Sequence, residues 1–274
     1  MSSKARNRPP RLEPAVGRRN DAPPPSLAQR LERTHVAGRA AAPGPSELRR
    51  IVERAAGERA PSVLLDDAWA AVEKVFGATL AAPRIDPART IAAMHDAFAR
   101  LVDVARSGAR VAFATSRPAS LLTLHLELAR VARAAGAHVL ADDDSPPLRV
   151  DGRAARGIRW FDGVAVVTDG QSLCATRGPD APQEWLFILP RPALVIADGP
   201  FADAALDDGI EVIAFAGLEH ARLALARPPE HACLVVPMWT DREPNAYRPL
   251  VDAARRGDDI GVVVERRDGA SGAR

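Results

Sequence analysis

At 274 residues the chain is long enough for one large α/β domain or for a small domain beside a medium one, and 47% apolar content can fill a real core. Basic and acidic residues nearly cancel, 37 against 35, so no global field calls for nucleic acid or a membrane surface. No apolar run approaches the roughly 18 residues that a membrane helix requires, and two cysteines without paired spacing, Cys174 and Cys233, exclude a disulfide scaffold or a cysteine zinc site, so a cytoplasmic protein with free thiols is expected.

Residues 1 to 25 interleave Pro9, Pro10, Pro14 and Pro23-Pro24-Pro25 with five arginines between Arg6 and Arg19, and bury almost nothing. Disorder is the physical expectation, with at most weak contact to acidic surfaces or RNA. Four helices are predicted next, over 26–108, as a helical lobe packed on the remainder of the chain. Ser26 caps the first, which carries Leu27, Leu31 and Val36. Ser46 caps the second, with Leu48, Ile51, Val52 and Ala55 on one face and Gly57 as its stop. Ser62 caps the third, where Leu65, Ala68, Trp69, Val72 and Phe76 recur at helical spacing before Gly77. Asp86-Pro87 starts the fourth, since proline suits the first turn and the carboxylate satisfies free N–H groups.

From Arg110 the period changes. Strands are expected at 111–115, 137–141, 163–167, 193–197, 210–214 and 232–236, with helices at 118–135, 201–208 and 218–226 between them. This alternation over 109–265 predicts a three-layer αβα domain with a mostly parallel, Rossmann-like sheet. Val164–Val167 and Leu194–Ala197 are continuously apolar, as doubly covered strands should be. Residues 148–160 read as a hairpin insertion turning at Asp151-Gly152, and the polar tail over 266–274 as frayed.

In a parallel sheet all strand exits share one edge, where ligands of open α/β folds bind. That edge would collect Thr115, Ser116 and Arg117; Asp142, Asp143 and Asp144; Thr168 and Asp169; and Asp198 and Gly199, with Thr176-Arg177-Gly178 as a second anion clamp. Hydroxyls and guanidinium groups hold phosphate or carboxylate, and carboxylates at neighbouring exits bind a divalent metal such as Mg²⁺ or act as acid and base. Each also has a structural reading: Asp142–Asp144 as a solvated loop, Asp198 as a helix cap, Thr168–Ser172 as a turn. The six histidines show no metal-ligand spacing, and no residue is nominated as a metal ligand from them. No glycine-rich phosphate loop, dinucleotide fingerprint or Gly-x-Ser-x-Gly elbow is present.

A series of spaced motifs over 34–250 resembles an actinobacterial family labelled phosphatase. It runs through Thr34-His35-Val36-Ala37-Gly38, Ile85-Asp86-Pro87, Phe113-Ala114-Thr115 with Pro118, Leu194–Asp198, Gly209-Ile210, Val235-Val236-Pro237, Tyr247 and Pro249. The chain diverges where the family carries histidine. Its Thr-Gly-His-Pro turn is Thr115-Ser116-Arg117-Pro118 here, its His-Thr-His is Ala175-Thr176-Arg177, and the histidine after Ala-Asp is Gly199. An Arg-Glu-Asn-Asn stretch is replaced by Gly44-Pro45-Ser46-Glu47. The resemblance implies a phosphatase-like hydrolase acting on a phosphate monoester. Asp198 and Asp169 would be catalytic, and Thr115, Ser116, Arg117, Thr176, Arg177 and Gly199 would hold the substrate. Arginine stays protonated at any relevant pH, so the exchanged positions favour charge neutralisation over proton shuttling. The alternative is a pseudoenzyme that binds an anionic metabolite or a protein partner without chemistry.

Overall fold

The computed structural model describes residues 24–38, 42–59, 64–141, 157–225 and 233–256. The segment up to residue 23, the Ser62 cap, the Asp142–Asp144 run, the Asp151-Gly152 turn and the C-terminal tail lie outside the described residues.

The N-terminal helices are α1 (Leu27–Arg33), α2 (Pro45–Arg59), α3 (Leu65–Phe76) and α4 (Pro87–Arg106). Ser26 caps α1 with a full capping box: its hydroxyl accepts from Gln29 N, and the Gln29 side chain accepts from Ser26 N. The helix stops at Arg33, so Val36 lies beyond it. Helix α2 starts one residue before Ser46, which therefore sits in the first turn, and it runs through Gly57 instead of stopping there. Leu64 is the extended N-cap of α3, without a side-chain cap bond, and Gly77 ends that helix at φ +69°. Asp86 caps α4 as expected, accepting from Ala88 N at 2.9 Å with Pro87 at the first position.

The sheet comprises β1 (Arg110–Thr115), β2 (His138–Val139), β3 (Gly157–Phe161), β4 (Val164–Thr168), β5 (Leu173–Cys174), β6 (Leu194–Asp198), β7 (Val212–Ala216) and β8 (Cys233–Pro237). The main order is β3-β4-β1-β6-β7-β8, with β2 beside β1 and β5 beside β4. All pairings are parallel except β3–β4 and β4–β5. Strand β3 turns into β4 at Asp162-Gly163, both at positive φ. The remaining helices are α5 (Pro118–Ala135), α6 (Asp180–Ile188), α7 (Gly199–Asp207) and α8 (Arg248–Arg256), with 3-10 segments at Leu218–Leu225 and Pro244–Tyr247. The segment expected as a helix at 218–226 is thus the tighter form.

Helices α4 and α5 pack together, α5 against β1 and α4 against β8, with α1 and α8 on them; α6 and α7 form a second pair, α7 lying on β6 and β7. Strands β1, β4, β6 and β7 are buried almost throughout, as a sheet covered on both faces requires. The fold is a three-layer αβα sandwich. The N-terminal helices share its core. Trp239 N donates to Val36 O at 2.9 Å, and the Thr90 hydroxyl donates to Pro237 O at 2.6 Å. Among the described residues no helix is long and apolar enough to cross a membrane.

Tyr247, one of the spaced family residues, fastens the end of the sheet. Its buried hydroxyl donates to Trp239 O at 2.6 Å and accepts from Arg242 N at 3.0 Å, and burial pushes the phenol well above its usual range. Tyr247→Phe leaves both backbone groups short of a partner and should cost about 2 kcal/mol, read as a lower urea midpoint at unchanged slope.

Candidate functional site

The chain leaves β1 through α5 toward the β2/β4 flank and returns through α6 to β6 on the opposite flank. The winding direction therefore reverses between β1 and β6, and the loops leaving those two strands part there. In open α/β sheets that crevice is where ligands enter. Thr115, Ser116 and Arg117 leave β1 at this point, and Asp198 and Gly199 leave β6.

The innermost part of the crevice is closed by the protein itself. The Asp198 carboxylate, fully buried, accepts from Ser116 N at 3.2 Å and from the Ser116 hydroxyl at 2.6 Å. It occupies the place beside the β1–α5 turn that the sequence offers to an anion. It is the N-cap residue of α7 by position, yet its side chain makes no capping bond there and turns toward Ser116 instead. Behind it stands His125, equally buried on the inner face of α5, with Nε2 3.4 Å from Asp198 Oδ1 and its ring edge-on to Phe215. This is an ion-pair distance without hydrogen-bond alignment. Burial pushes the Asp198 carboxyl up, but the facing imidazole and the hydroxyls of Ser116 and Thr115 outweigh it and hold the group below its usual range.

Outside this cluster lies a groove of about 660 Å³ running along α7, lined among others by Arg177, Pro200, Asp203, Glu219, His220 and Arg222. Its lining carries five carboxylates, from Glu58, Asp203, Asp207, Asp208 and Glu219, against the guanidinium groups of Arg177 and Arg222. Arg117 reaches Glu219 at 3.3 Å, and Arg222 reaches Asp203 at 2.6 Å and Asp207 at 3.9 Å. Burial pushes the Asp203 carboxyl up against the pull of Arg222 and His220. Arg177 is exposed and makes no ion pair among the described residues. Beside it the groove is lined by Pro200, the second residue of α7, which carries no N–H.

The nominated residues therefore divide. Thr115, Ser116 and Asp198 form the buried head of the site, with Gly199 directly over it. Thr176 joins through its backbone, donating from N to Ser116 O at 3.0 Å. Arg177 lines the groove, and Arg117 touches it through Glu219. Asp169 stands apart. It forms the exposed β4–β5 turn, accepting from Gln171 N, Ser172 N and the Ser172 hydroxyl, bonds that hold its carboxyl below the usual range. Because β1 lies between β4 and β6, Asp169 and Asp198 leave strands two spacings apart, roughly 10 Å. Among the described residues no group of three or more His, Cys, Asp or Glu side chains is placed to hold a metal ion.

Three contributors escape a reading of the sequence. His125 has a signal, because it follows Leu121 and Leu124 and precedes Leu128 on the buried face of α5, where a polar residue calls for a partner. His220 and Asp203 have none, since only the 3-10 geometry after β7 brings them together, Nδ1 to Oδ2 at 3.9 Å.

The model of a family described as Phosphatase matches residues 24–254. A relative, Phosphatase SCO2771 of Streptomyces coelicolor, is 28% identical over 232 residues, covering 77% of this chain and 87% of that protein. No solved structure matches the chain.

Proposed function

Because the chain belongs to the phosphatase family, we propose that it hydrolyses a phosphate monoester in the groove beside the β1–β6 crevice. Arg177 seats the phosphoryl group. The observation that carries this reading is one exposed guanidinium in the groove: Arg117 and Arg222 already face carboxylates, whereas Arg177 makes no ion pair among the described residues. Such a guanidinium pairs two phosphate oxygens at once. Asp198 then serves as the fixed anchor of the β1–α5 turn, and Arg117 neutralises Glu219.

A second reading, a relative that binds a phosphorylated or other anionic ligand without chemistry, draws on one observation. Ser116 and Asp198 are fully engaged with each other, so neither the hydroxyl proton nor the carboxylate is free for a substrate.

A panel of phosphate esters assayed with Mg²⁺, Mn²⁺ or Zn²⁺ separates the two. Under the hydrolytic reading, Arg177→Ala raises KM by about 10- to 100-fold, the worth of one charge-assisted contact. Turnover unaffected by that substitution rejects the groove as the site. No turnover at all, together with thermal stabilisation by phosphate compounds that Arg177→Ala abolishes, selects the second reading.

A further inference from the structure

We propose that His220 is the group that protonates the departing alcohol, with Asp203 as its positioning residue; the inference rests on the hydrolytic reading above. His220 sits just beyond the carboxyl end of β7 and lines the groove with Arg177 and Pro200. Its own backbone (φ −108°, ψ 32°) breaks the 3-10 segment into two turns, and its side chain is only 19% exposed. Nδ1 lies 3.9 Å from Asp203 Oδ2, while Asp203 Oδ1 accepts from Arg222 Nε at 2.6 Å. A carboxylate pinned by a guanidinium thus faces one ring nitrogen.

The other nitrogen looks toward the head of α7. A Cβ built on Gly199 would lie 3.5 Å from His220 Nε2. With glycine at 199 no Cβ stands between that nitrogen and the head of α7. The charged groups that line the groove with His220 are Asp203 and Asp207 from α7, Asp208 just after it, Glu219 and Arg222 from the same 3-10 segment, Arg177 from the loop before α6, and Glu58 from α2. A histidine with a carboxylate facing one ring nitrogen, in the groove that also holds Arg177, can act as a general acid.

The imidazolium gives its Nε2 proton to the bridging ester oxygen as the P–O bond to the alcohol breaks. A water oxygen forms the new P–O bond, and the proton it sheds passes to solvent, which reprotonates the ring. The products are an alcohol and inorganic phosphate.

The dependence on leaving group tests this. A p-nitrophenolate departs with little protonation, whereas a primary alkoxide departs only with it. His220→Gln should lower kcat on a primary alkyl phosphate by roughly 100-fold or more, within the range of general acid catalysis, but lower it less than about 10-fold on p-nitrophenyl phosphate. Asp203→Asn should show the same selectivity in weaker form. His220→Asn serves where the glutamine variant does not fold. Equal losses on both esters, or no loss, in a protein whose wild type is active overturns the role of His220 alone. A wild type inactive on both esters overturns the hydrolytic reading and this inference with it.

Discussion

Replacing Asp198 by alanine is expected to lower the unfolding free energy by about 3–5 kcal/mol, the usual cost of removing one partner from a buried charged cluster. The carboxylate is the shared acceptor for Ser116 N and the Ser116 hydroxyl, and it faces His125 across 3.4 Å, all without access to water. Truncation leaves two donors and an imidazole with nothing to meet, at the junction of β1 and β6. Asp198→Asn keeps the shape and should cost less. The comparison of wild type with Asp198→Asn also carries a pH signature. The folded carboxyl lies below its ordinary value, so its contribution is complete above the unfolded pKa of about 3.9 and is lost as pH falls through the folded value. The stability gap between the two proteins should therefore be widest near neutrality and close below about pH 4. Asp203, raised by burial, acts with the opposite sign, its contribution being lost as pH rises, but it is common to both proteins and cancels from the difference. Urea melts across the acid range measure the gap, and a gap that stays constant with pH would contradict the charge assigned to Asp198.

Gly199→Ala should be nearly as damaging, for two separable reasons. The residue has φ +51°, where a side chain costs about 1–2 kcal/mol. Its Cβ would also fall 2.6 Å from the Ser116 hydroxyl oxygen. Serine can rotate away only by surrendering its bond to Asp198, worth roughly another 1–2 kcal/mol. The single variant should thus lose about 2–4 kcal/mol. In Ser116→Ala/Gly199→Ala the oxygen is gone and the remaining contacts, to the Cβ at 116 and to His220 Nε2, are each an ordinary 3.5 Å. The double variant should accordingly be less destabilised than the two singles summed. Strict additivity of the melting free energies would show that the two side chains do not compete for one space.

Much of the sheet is legible in the chain because its signals are local. Val111–Thr115, Val164–Val167 and Leu194–Ala197 are apolar runs bounded by turn residues, and α5 runs from Pro118 to Ala135 as its proline start and glycine stop foretell. Helix α6 escapes such a reading, since it runs for only nine residues and its anchoring residue, Trp185, is fixed by an edge contact with Phe201 across the fold. Helix caps divide for a related reason: Ser26 and Asp86 cap, whereas Ser46 and Gly57 are overridden by the packing of α2 on the 3-10 segment after β7. The site shows the same contrast. Which residues leave the sheet at the β1–β6 crevice follows from strand order, whereas the sequence points only to a common edge on which it also places Asp169. What they do with one another does not follow, because it depends on which way each side chain turns: Asp198 inward to Ser116, Asp169 back onto its own turn, Arg117 across to Glu219.

Positions 116 and 199 cannot drift independently. A side chain at 199 and a hydroxyl at 116 would occupy the same space, so bulk at one position limits what the other can hold.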